Sequence, residues 1–272
     1  MIDYHMHTSR CCHADGETAD YVRKAISYEL GEIGFSDHLP LRGDRGKELG
    51  LAMALAELPD YVSEVLELRK SFPEIQIKLG IEADYTPDSV SYTRDLLKKH
   101  DFDYVIGSVH YIGEWAFDHP GERKKWDSKD VDLVYKEYFE LLRKSASTLL
   151  FDIIGHCDLV KKFGNRPENE LSEDLEKTAK VFKECGVAVE INTSGLRKPV
   201  NEIYPSFENL KVYNKYDIPI VFGSDAHTPD DVGKDFDKAI SLAAEAGYDE
   251  YVTFENRTMK SHKLDSGKSI HC

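Results

Sequence analysis

The sequence has no apolar stretch of the roughly 18 residues that a membrane-spanning helix requires, so no transmembrane segment is expected. It is also poor in basic residues. Lys and Arg number 35 against 50 Asp and Glu, the net charge is −15, and no basic block occurs. Binding to nucleic acid or to anionic membranes needs a positive surface, so neither partner is expected. A phosphate can still bind where metal ions or a few cationic side chains reverse the local field.

Cysteine is scarce as well, with five residues, an odd number, and no CxxC pair. This favours a reduced, cytoplasmic protein over one held together by disulfides. Asp3, His5 and His7 occupy the positions where a signal peptide would need its apolar segment, which leads to the same expectation. No Pro-, Gly- or Ser-rich linker and no repeat interrupts the chain. We therefore expect one domain over residues 1–272, with about the last 15 residues as a flexible tail.

What the chain does contain is an alternation of short apolar runs with longer amphipathic ones. The short runs are rich in β-branched or aromatic residues, as buried parallel strands are. They cover residues 2–8, 32–38, 75–85, 103–112, 149–158, 187–194, 218–227 and 251–256. Helical spacing of apolar residues occurs at 18–30, 55–72, 90–100, 130–147, 171–186 and 234–248. This alternation predicts an α/β fold with a parallel sheet, either closed into a barrel or doubly wound.

Residues that commonly bind metals recur at or near the ends of the predicted strands. A single histidine at such a position is more often a structural hydrogen-bonding group than a ligand. Here, however, nearly every strand carries one or two candidates: His5, His7, Asp37, His38, Glu82, His110, His156, Asp225 and His227. In a (β/α) barrel the carboxyl ends of all strands meet at one face, where the active site lies. We therefore expect these side chains to form one cluster.

The spacing within the strands supports this expectation. HxH at 5–7 and DxH at 225–227 each place two side chains on the same side of an extended chain. Asp3 shares that phase, and we predict that it orients a histidine ring. His13 follows in a loop that can fold back over the cluster. So many donors exceed the needs of one four-coordinate metal and indicate two or three divalent ions, with Zn, Mn or Fe favoured by nitrogen and oxygen ligands.

Eight motifs occur in a fixed order between residues 3 and 227: DYHMHT, HADG, FSDH, GIE, GSVHYI, GHCD, EINTSG and GSDAH. Together they resemble the PHP (polymerase and histidinol phosphatase) superfamily. GSVHYI, and NTSGLRKP with a following YPS, are typical of its histidinol-phosphatase branch. The resemblance implies a single distorted (β/α)7 TIM-like barrel with a metal site at the C-terminal face of the strands.

The resemblance also implies a set of metal ligands. One ion would be bound by His5, His7, Glu82 and Asp225, a second by His13, His38 and His227, and a third by Glu82, His110 and His156, with Glu82 bridging. All nine positions carry the expected residue type, which argues against a metal-free relative. Because adjacent strand residues point to opposite sides, His38 rather than Asp37 is the expected ligand.

The activity implied by the resemblance is hydrolysis of L-histidinol phosphate to L-histidinol and phosphate in histidine biosynthesis. A metal-bridging hydroxide would be the nucleophile, with no phosphoenzyme, since a metal cluster provides hydroxide at neutral pH and neutralises phosphate oxygens. The predicted catalytic residues are Glu82, Asp225, His227 and Arg197. The sequence does not identify the proton donor to the leaving group; Asp225, a nearby histidine and metal-bound water all stay open.

Substrate contacts are predicted from two other segments. Arg197, in GLRKP, is expected to bind phosphate oxygens, with Lys161 or Lys162 as a further cation. The segment 113–126 breaks the alternation and is expected to lie over the barrel mouth, where Trp115 or Phe117 would stack on an imidazole. The acidic composition fits a substrate that carries an ammonium group as well as a phosphate.

Two alternatives stay open. One is another PHP phosphoesterase, either a general phosphatase or a nuclease, although a nuclease should show a basic groove with aromatic stacking positions. The other is a non-catalytic metal-binding module, in which Arg197 would have no purpose. The sequence does not determine the oligomeric state.

Overall fold

The structure is a computed structural model that describes residues 1–169 and 171–265. Its strands are short and follow the predicted apolar runs, except for β6 and β11, which were not predicted. They are β1 Ile2–Asp3, β2 Glu32–Phe35, β3 Gln76–Asp84, β4 Tyr104–Ser108, β5 Tyr111–Ile112, β6 Trp115–Ala116, β7 Ile153–Ile154, β8 Ala188–Asn192, β9 Ile220–Gly223, β10 Glu250–Glu255 and β11 Thr258–Lys263.

Helices separate the strands. They are α1 Thr18–Ser27, α2 Arg45–Leu49, α3 Leu58–Ser71, α4 Val90–Leu97, α5 Val131–Ser147, α6 Ser172–Cys185, α7 Phe207–Lys215 and α8 Phe236–Glu245. Six of them match the predicted helical segments, and Gly186, with φ +69°, ends α6 as a left-handed cap. The prediction missed the short helix α2 and also α7, whose N-terminus is capped by the Ser206 hydroxyl. None of the helices in the described residues is long and apolar enough to cross a membrane.

Seven of the strands form one parallel sheet in the order β1-β2-β3-β4-β7-β8-β9. Past the end of β1, the N–H of Tyr4 donates to the carbonyl of Phe222 at 3.0 Å. Further along, the N–H of His7 donates to the carbonyl of Ala226 (2.9 Å), and the N–H of Ala226 donates to the carbonyl of His5 (3.1 Å). These bonds join the first strand to the last. The predicted (β/α)7 barrel is therefore confirmed, and the doubly wound alternative is wrong.

Tyrosine rings fill the barrel interior. The rings of Tyr4 and Tyr104 stack with centroids 4.5 Å apart, and the Tyr104 hydroxyl donates to the Tyr4 carbonyl at 2.6 Å. Gly34 on β2 and Gly80 on β3 make room for Tyr104, because a Cβ atom at either position would overlap its ring. The interior is thus a packed core below the metal-ligand side chains, as in other barrels of this size.

The last two strands form a hairpin outside the barrel. β10 pairs with β11 in antiparallel fashion, and the N–H of Phe254 donates to the Tyr4 hydroxyl at 3.0 Å. The hairpin loop contacts the residue that precedes β4, through a bond from the N–H of Arg257 to the Asp103 carbonyl (2.8 Å). The hairpin therefore covers the N-terminal end of the barrel, opposite the site. The first part of the predicted tail is strand β11, and the rest of that tail, residues 266–272, lies outside the described residues.

Candidate metal centre

A cavity of about 470 Å³ opens at the C-terminal face of the barrel. Strand ends form its floor, and the segments 49–51, 116–120 and 194–198 form its walls. Seven of the nine predicted metal ligands line it directly: His13, His38, Glu82, His110, His156, Asp225 and His227. The strand ends that sequence spacing placed at one face therefore meet around a single cavity.

Glu82, near the end of β3, lies at the centre of the cluster and is buried. Its Oε2 atom is 3.0 Å from His38 Nδ1, 3.4 Å from His5 Nε2 and 3.7 Å from His7 Nε2. Its Oε1 atom is 3.1 Å from His156 Nε2 and 3.7 Å from His110 Nε2. The two carboxylate oxygens thus face two different groups of imidazoles, an arrangement that suits a ligand bridging two ions.

Asp225 occupies the other side of His5 and His7. Its Oδ1 atom is 3.2 Å from His7 Nε2 and 3.8 Å from His5 Nε2, while its Oδ2 atom accepts a hydrogen bond from the Ser194 hydroxyl at 2.9 Å. The ligand-type atoms of His5, His7 and Asp225 lie within 4.8 Å of one another, as do those of His5, Glu82 and His156. Each group has the size of a metal coordination shell.

The loop residue His13 folds back over the cluster. Its Nδ1 atom lies 2.9 Å from the Cys11 carbonyl and 3.1 Å from the Gly50 carbonyl, so Nε2 is the nitrogen left for a ligand. Its ring centroid is 4.8 Å from that of His227 and 5.4 Å from that of His38. The structure therefore brings together the three histidines that the resemblance assigns to one ion.

Several polar atoms in this cluster are buried without a hydrogen-bond partner among the described residues. They include His5 Nε2, His7 Nε2 and Glu82 Oε2. Leaving such atoms unpaired costs about 1–3 kcal/mol each, so a folded protein normally satisfies them. Imidazole and carboxylate donors at these spacings are the ligands that divalent transition metals take. The residues present thus fit a site for more than one divalent ion.

The charges of the cluster are strongly coupled. Although burial opposes it, nearby His38 and His5 hold the pKa of Glu82 well below its usual range, and His5 and His7 do the same for Asp225. Burial alone would lower the pKa of His5. Attraction by three carboxylates exceeds this effect and holds that pKa well above its usual value; they belong to Glu190, Glu82 and Asp225. Burial together with neighbouring His38 lowers the pKa of His13 to about 4. The carboxylates are therefore ionised at neutral pH, and His13 is a neutral imidazole, the form that binds metals.

Carboxylates behind the cluster hold the histidine rings in place. Glu190, on β8, lies 2.6 Å from His5 Nδ1 and accepts a hydrogen bond from the backbone N–H of His156 at 2.8 Å. Asp84 contacts His110 Nδ1 in the same way. Such partners fix which ring nitrogen faces the metal. Glu190 and Asp84 were not singled out in the sequence, although Asp84 shares the strand phase of Glu82 and Glu190 is an acidic residue inside an apolar run.

The role predicted for Asp3 is wrong. Its carboxylate accepts hydrogen bonds from the backbone N–H and hydroxyl of Ser224 (2.9 and 2.5 Å) and from the N–H of Gly233 (3.0 Å). It therefore holds the backbone next to Asp225 and orients no histidine ring. Asp37, in contrast, lies with Oδ1 3.5 Å from His7 Nδ1, outside the central group, while His38 faces Glu82 as expected.

Three cationic side chains line the cavity: Lys162, Arg197 and Lys198. Arg197 is held by the Ser224 carbonyl, which accepts from Nη2 at 2.6 Å, and by Asp231, 3.4 Å from Nε. Its Nη1 atom is buried without a partner in the described part of the chain. Lys162 pairs with Asp118 at 2.9 Å, and burial lowers the pKa of Lys198. Neither Lys198 nor Asp118 was predicted from the sequence.

The structure does not support Trp115, Phe117 and Lys161 as substrate contacts. All three are buried and none lines the cavity. The segment does lie over the mouth, but Trp115 and Phe117 are buried in the core, while Ala116 and Asp118, the latter in the turn after β6, line the cavity. Lys161 turns away, and its ammonium group contacts the Ile203 carbonyl, Asp158 and Glu202 at 2.8–3.1 Å.

Comparison with known proteins agrees with this geometry. The "PHP domain" family model matches residues 3–194, and the "PHP-associated" model matches residues 208–236. A protein of Deinococcus radiodurans named "probable histidinol-phosphatase" is 36% identical over 96% of this chain and 98% of its own length. The histidinol-phosphatase of Bacillus subtilis is 29% identical over 85% of this chain and 95% of its own length.

A solved structure shows the same fold. Histidinol phosphate phosphatase from Lactococcus lactis, in complex with zinc, L-histidinol and phosphate, superposes with a TM-score of 0.79 at 24% identity. The match covers 95% of this chain and 98% of that one. With the family model spanning most of the barrel and a relative of 36% identity covering nearly the whole chain, this protein belongs to the PHP domain family.

Proposed function

We propose that this protein is a metal-dependent phosphomonoesterase that hydrolyses L-histidinol phosphate to L-histidinol and phosphate. The observation that carries the proposal is one cluster of nine metal-ligand side chains, seven of which line a cavity that three cationic side chains also line. The full-length similarity to proteins named histidinol-phosphatase supports the choice of substrate. That the reaction serves histidine biosynthesis in the cytoplasm stays a prediction.

We infer that two or three divalent ions, Zn, Mn or Fe, bind at the nine ligand positions. The proposed ligands are His5, His7, His13, His38, Glu82, His110, His156, Asp225 and His227. When bound, such ions lower the pKa of water and stabilise negative charge on phosphate oxygens, the two contributions that this hydrolysis needs. Phosphate monoester hydrolysis has so high an uncatalysed barrier that enzymes accelerate it by up to roughly 10²¹-fold.

The chain's own residues would then position the substrate. Arg197 is pre-oriented by Ser224 and Asp231 and keeps Nη1 without a partner, so it can donate to a phosphate oxygen. Lys162 and Lys198 would add positive charge to the same cavity, in a protein whose net charge is −15. The low pKa of Asp225 and of His227 leaves both deprotonated at neutral pH. We therefore assign them as ligands rather than as proton donors to the leaving group.

One assay tests this proposal. Purified, metal-loaded protein is given L-histidinol phosphate, an aryl phosphate and a dinucleotide, and phosphate or nucleotide release is measured. We expect the highest kcat/KM for L-histidinol phosphate and loss of activity on chelation. Comparable rates on all three substrates would indicate a general phosphoesterase, while metal binding without turnover would indicate a binding module. Activity that survives complete metal removal would contradict the metal-dependent mechanism.

A further inference from the structure

We propose that Asp118 binds the ammonium group of the substrate, so that the enzyme selects phosphate esters of 2-amino alcohols. The inference rests on the proposed function and extends it to the residue that would distinguish this substrate from other phosphate monoesters. The cationic side chains in the cavity explain attraction of a phosphate, but none of them recognises an amino group.

Asp118 is held facing the cavity by the buried residues beside it. The indole N–H of Trp126 donates to the Phe117 carbonyl at 2.9 Å, and the Phe117 ring packs edge-on against Tyr138 with centroids 5.5 Å apart. The indole rings of Trp115 and Trp126 pack 5.0 Å apart beneath the same segment. Phe117 and Asp118 are the central residues of a turn closed by a hydrogen bond from the His119 N–H to the Ala116 carbonyl (3.0 Å), and with Phe117 anchored in the core, Asp118 lines the cavity.

The Asp118 carboxylate has an oxygen to spare. Its Oδ2 atom accepts from the Lys162 ammonium at 2.9 Å, whereas Oδ1 has no hydrogen-bond partner among the described residues. Asp231, another acid of the cavity wall, is already shared between Arg197 (3.4 Å) and Lys234 (2.8 Å). Asp84 is bonded to the His110 ring and so belongs to the metal-ligand cluster.

The chemistry of the substrate fits this pair. In a phosphate ester of a 2-amino alcohol, two carbons separate the ammonium from the ester oxygen. If the Lys162 ammonium contacts the phosphate, the substrate's own ammonium can reach Asp118 Oδ1, the carboxylate oxygen that Lys162 does not contact. Charges then alternate in sign around a ring of phosphate, Lys162, Asp118 and ammonium. Asp118 thereby offsets the repulsion that Lys162 alone would exert on the substrate's amino group, and a deamino substrate gains nothing from it.

The test compares substrates that differ only in the amino group. The first pair is L-histidinol phosphate and 3-(imidazol-4-yl)propyl phosphate, and the second is O-phosphoethanolamine and ethyl phosphate. A hydrogen bond between charged groups predicts that the native enzyme prefers the amino member by roughly 10- to 100-fold in kcat/KM. Asp118→Asn is expected to bring the ratio of the two kcat/KM values close to one, because KM rises much more for the amino member than for the deamino member.

Two matched variants serve as controls. Lys162→Gln should lower kcat/KM for both members of a pair, because it removes a phosphate contact, and it should keep the preference for the amino member, because Asp118 is retained. Asp95→Asn, which alters an exposed carboxylate on α4, should change neither. Asp118→Ser serves as a second variant if the amide variant does not fold, as judged by circular dichroism.

The proposal is overturned if Asp118→Asn reduces both members of a pair equally, since Asp118 would then only position Lys162. It is also overturned if the native enzyme shows no preference for either amino substrate. A failure of the proposed function looks different. L-histidinol phosphate would not be hydrolysed, while the pair of O-phosphoethanolamine and ethyl phosphate would still report on Asp118.

Discussion

Glu190→Gln is the substitution whose effect follows most directly from the geometry. Both carboxylate oxygens of the buried Glu190 act as acceptors: Oε1 for His5 Nδ1 (2.6 Å), and Oε2 for the His156 N–H (2.8 Å) and the Asn192 amide (3.0 Å). Glutamine has the same shape but only one oxygen. In either orientation its NH₂ group faces a donor, so at least one buried donor loses its acceptor. Where the NH₂ group takes the place of Oε1, His5 loses the acceptor that directs its Nε2 atom toward Glu82.

The expected magnitude has two parts. A buried donor without an acceptor costs about 1–3 kcal/mol of folding free energy. Loss of a carboxylate that orients a metal-binding histidine lowers metal affinity roughly 10- to 100-fold. Metal affinity is measured by competition with a chelator of known affinity, and stability by thermal unfolding of the chelated protein. Glu208→Gln, which removes an exposed carboxylate paired with Lys211, is the matched control and should change neither quantity.

Unchanged metal affinity in a folded Glu190→Gln protein would refute this reasoning. It would mean that packing alone holds the His5 ring. If stability falls but metal affinity does not, the conclusion is the same, because the hydrogen bonds of Glu190 would then stabilise the fold without affecting metal binding.

Three further outcomes are expected. Glu82→Gln should lower the bound metal per chain, measured by elemental analysis, more than replacement of any single histidine does, and equal losses would argue against bridging. Because the pKa values of His5 and His7 lie well above the usual range in the metal-free protein, metal binding must release protons, so affinity should rise with pH. Calorimetry in two buffers of different ionisation enthalpy measures that release, and none would contradict the assignment. Gly223→Ala places a methyl group against Glu190 and His5 and should cost about 1–3 kcal/mol of stability in denaturant unfolding, whereas full stability would mean that this region relaxes freely.

The sequence predicted the parallel α/β sheet because each strand carries its own signal. Runs such as 75–85 and 218–227 are short, apolar and followed by amphipathic helices, and these properties depend only on local residues. Helix α7 was missed among the less regular segments after β8. Closure of the sheet into a barrel depends on backbone hydrogen bonds between residues 4–7 and 222–226. Before the structure was known, only the family resemblance indicated this closure.

Substrate contacts were harder to predict than ligands. The ligands follow strand ends, so their positions are given by the common geometry of a parallel barrel. Trp115, Phe117 and Lys161 lie in irregular segments, where the direction of a side chain depends on packing against residues distant in sequence. Trp126 and Tyr138 decide that Phe117 is buried and that its neighbour Asp118 faces the cavity.

The sequence by itself determined the α/β class and the strand ends that carry most of the candidate ligands, because strand periodicity and order along the chain are local properties, while the family resemblance added His13 and the choice of His38 over Asp37. The tertiary structure decided which acids stand behind the ligands: Glu190 contacts the His5 ring, whereas Asp3 holds the backbone at Ser224. It also decided which cations line the cavity. Long side chains on loops can point in many directions, and only the packing around them selects one.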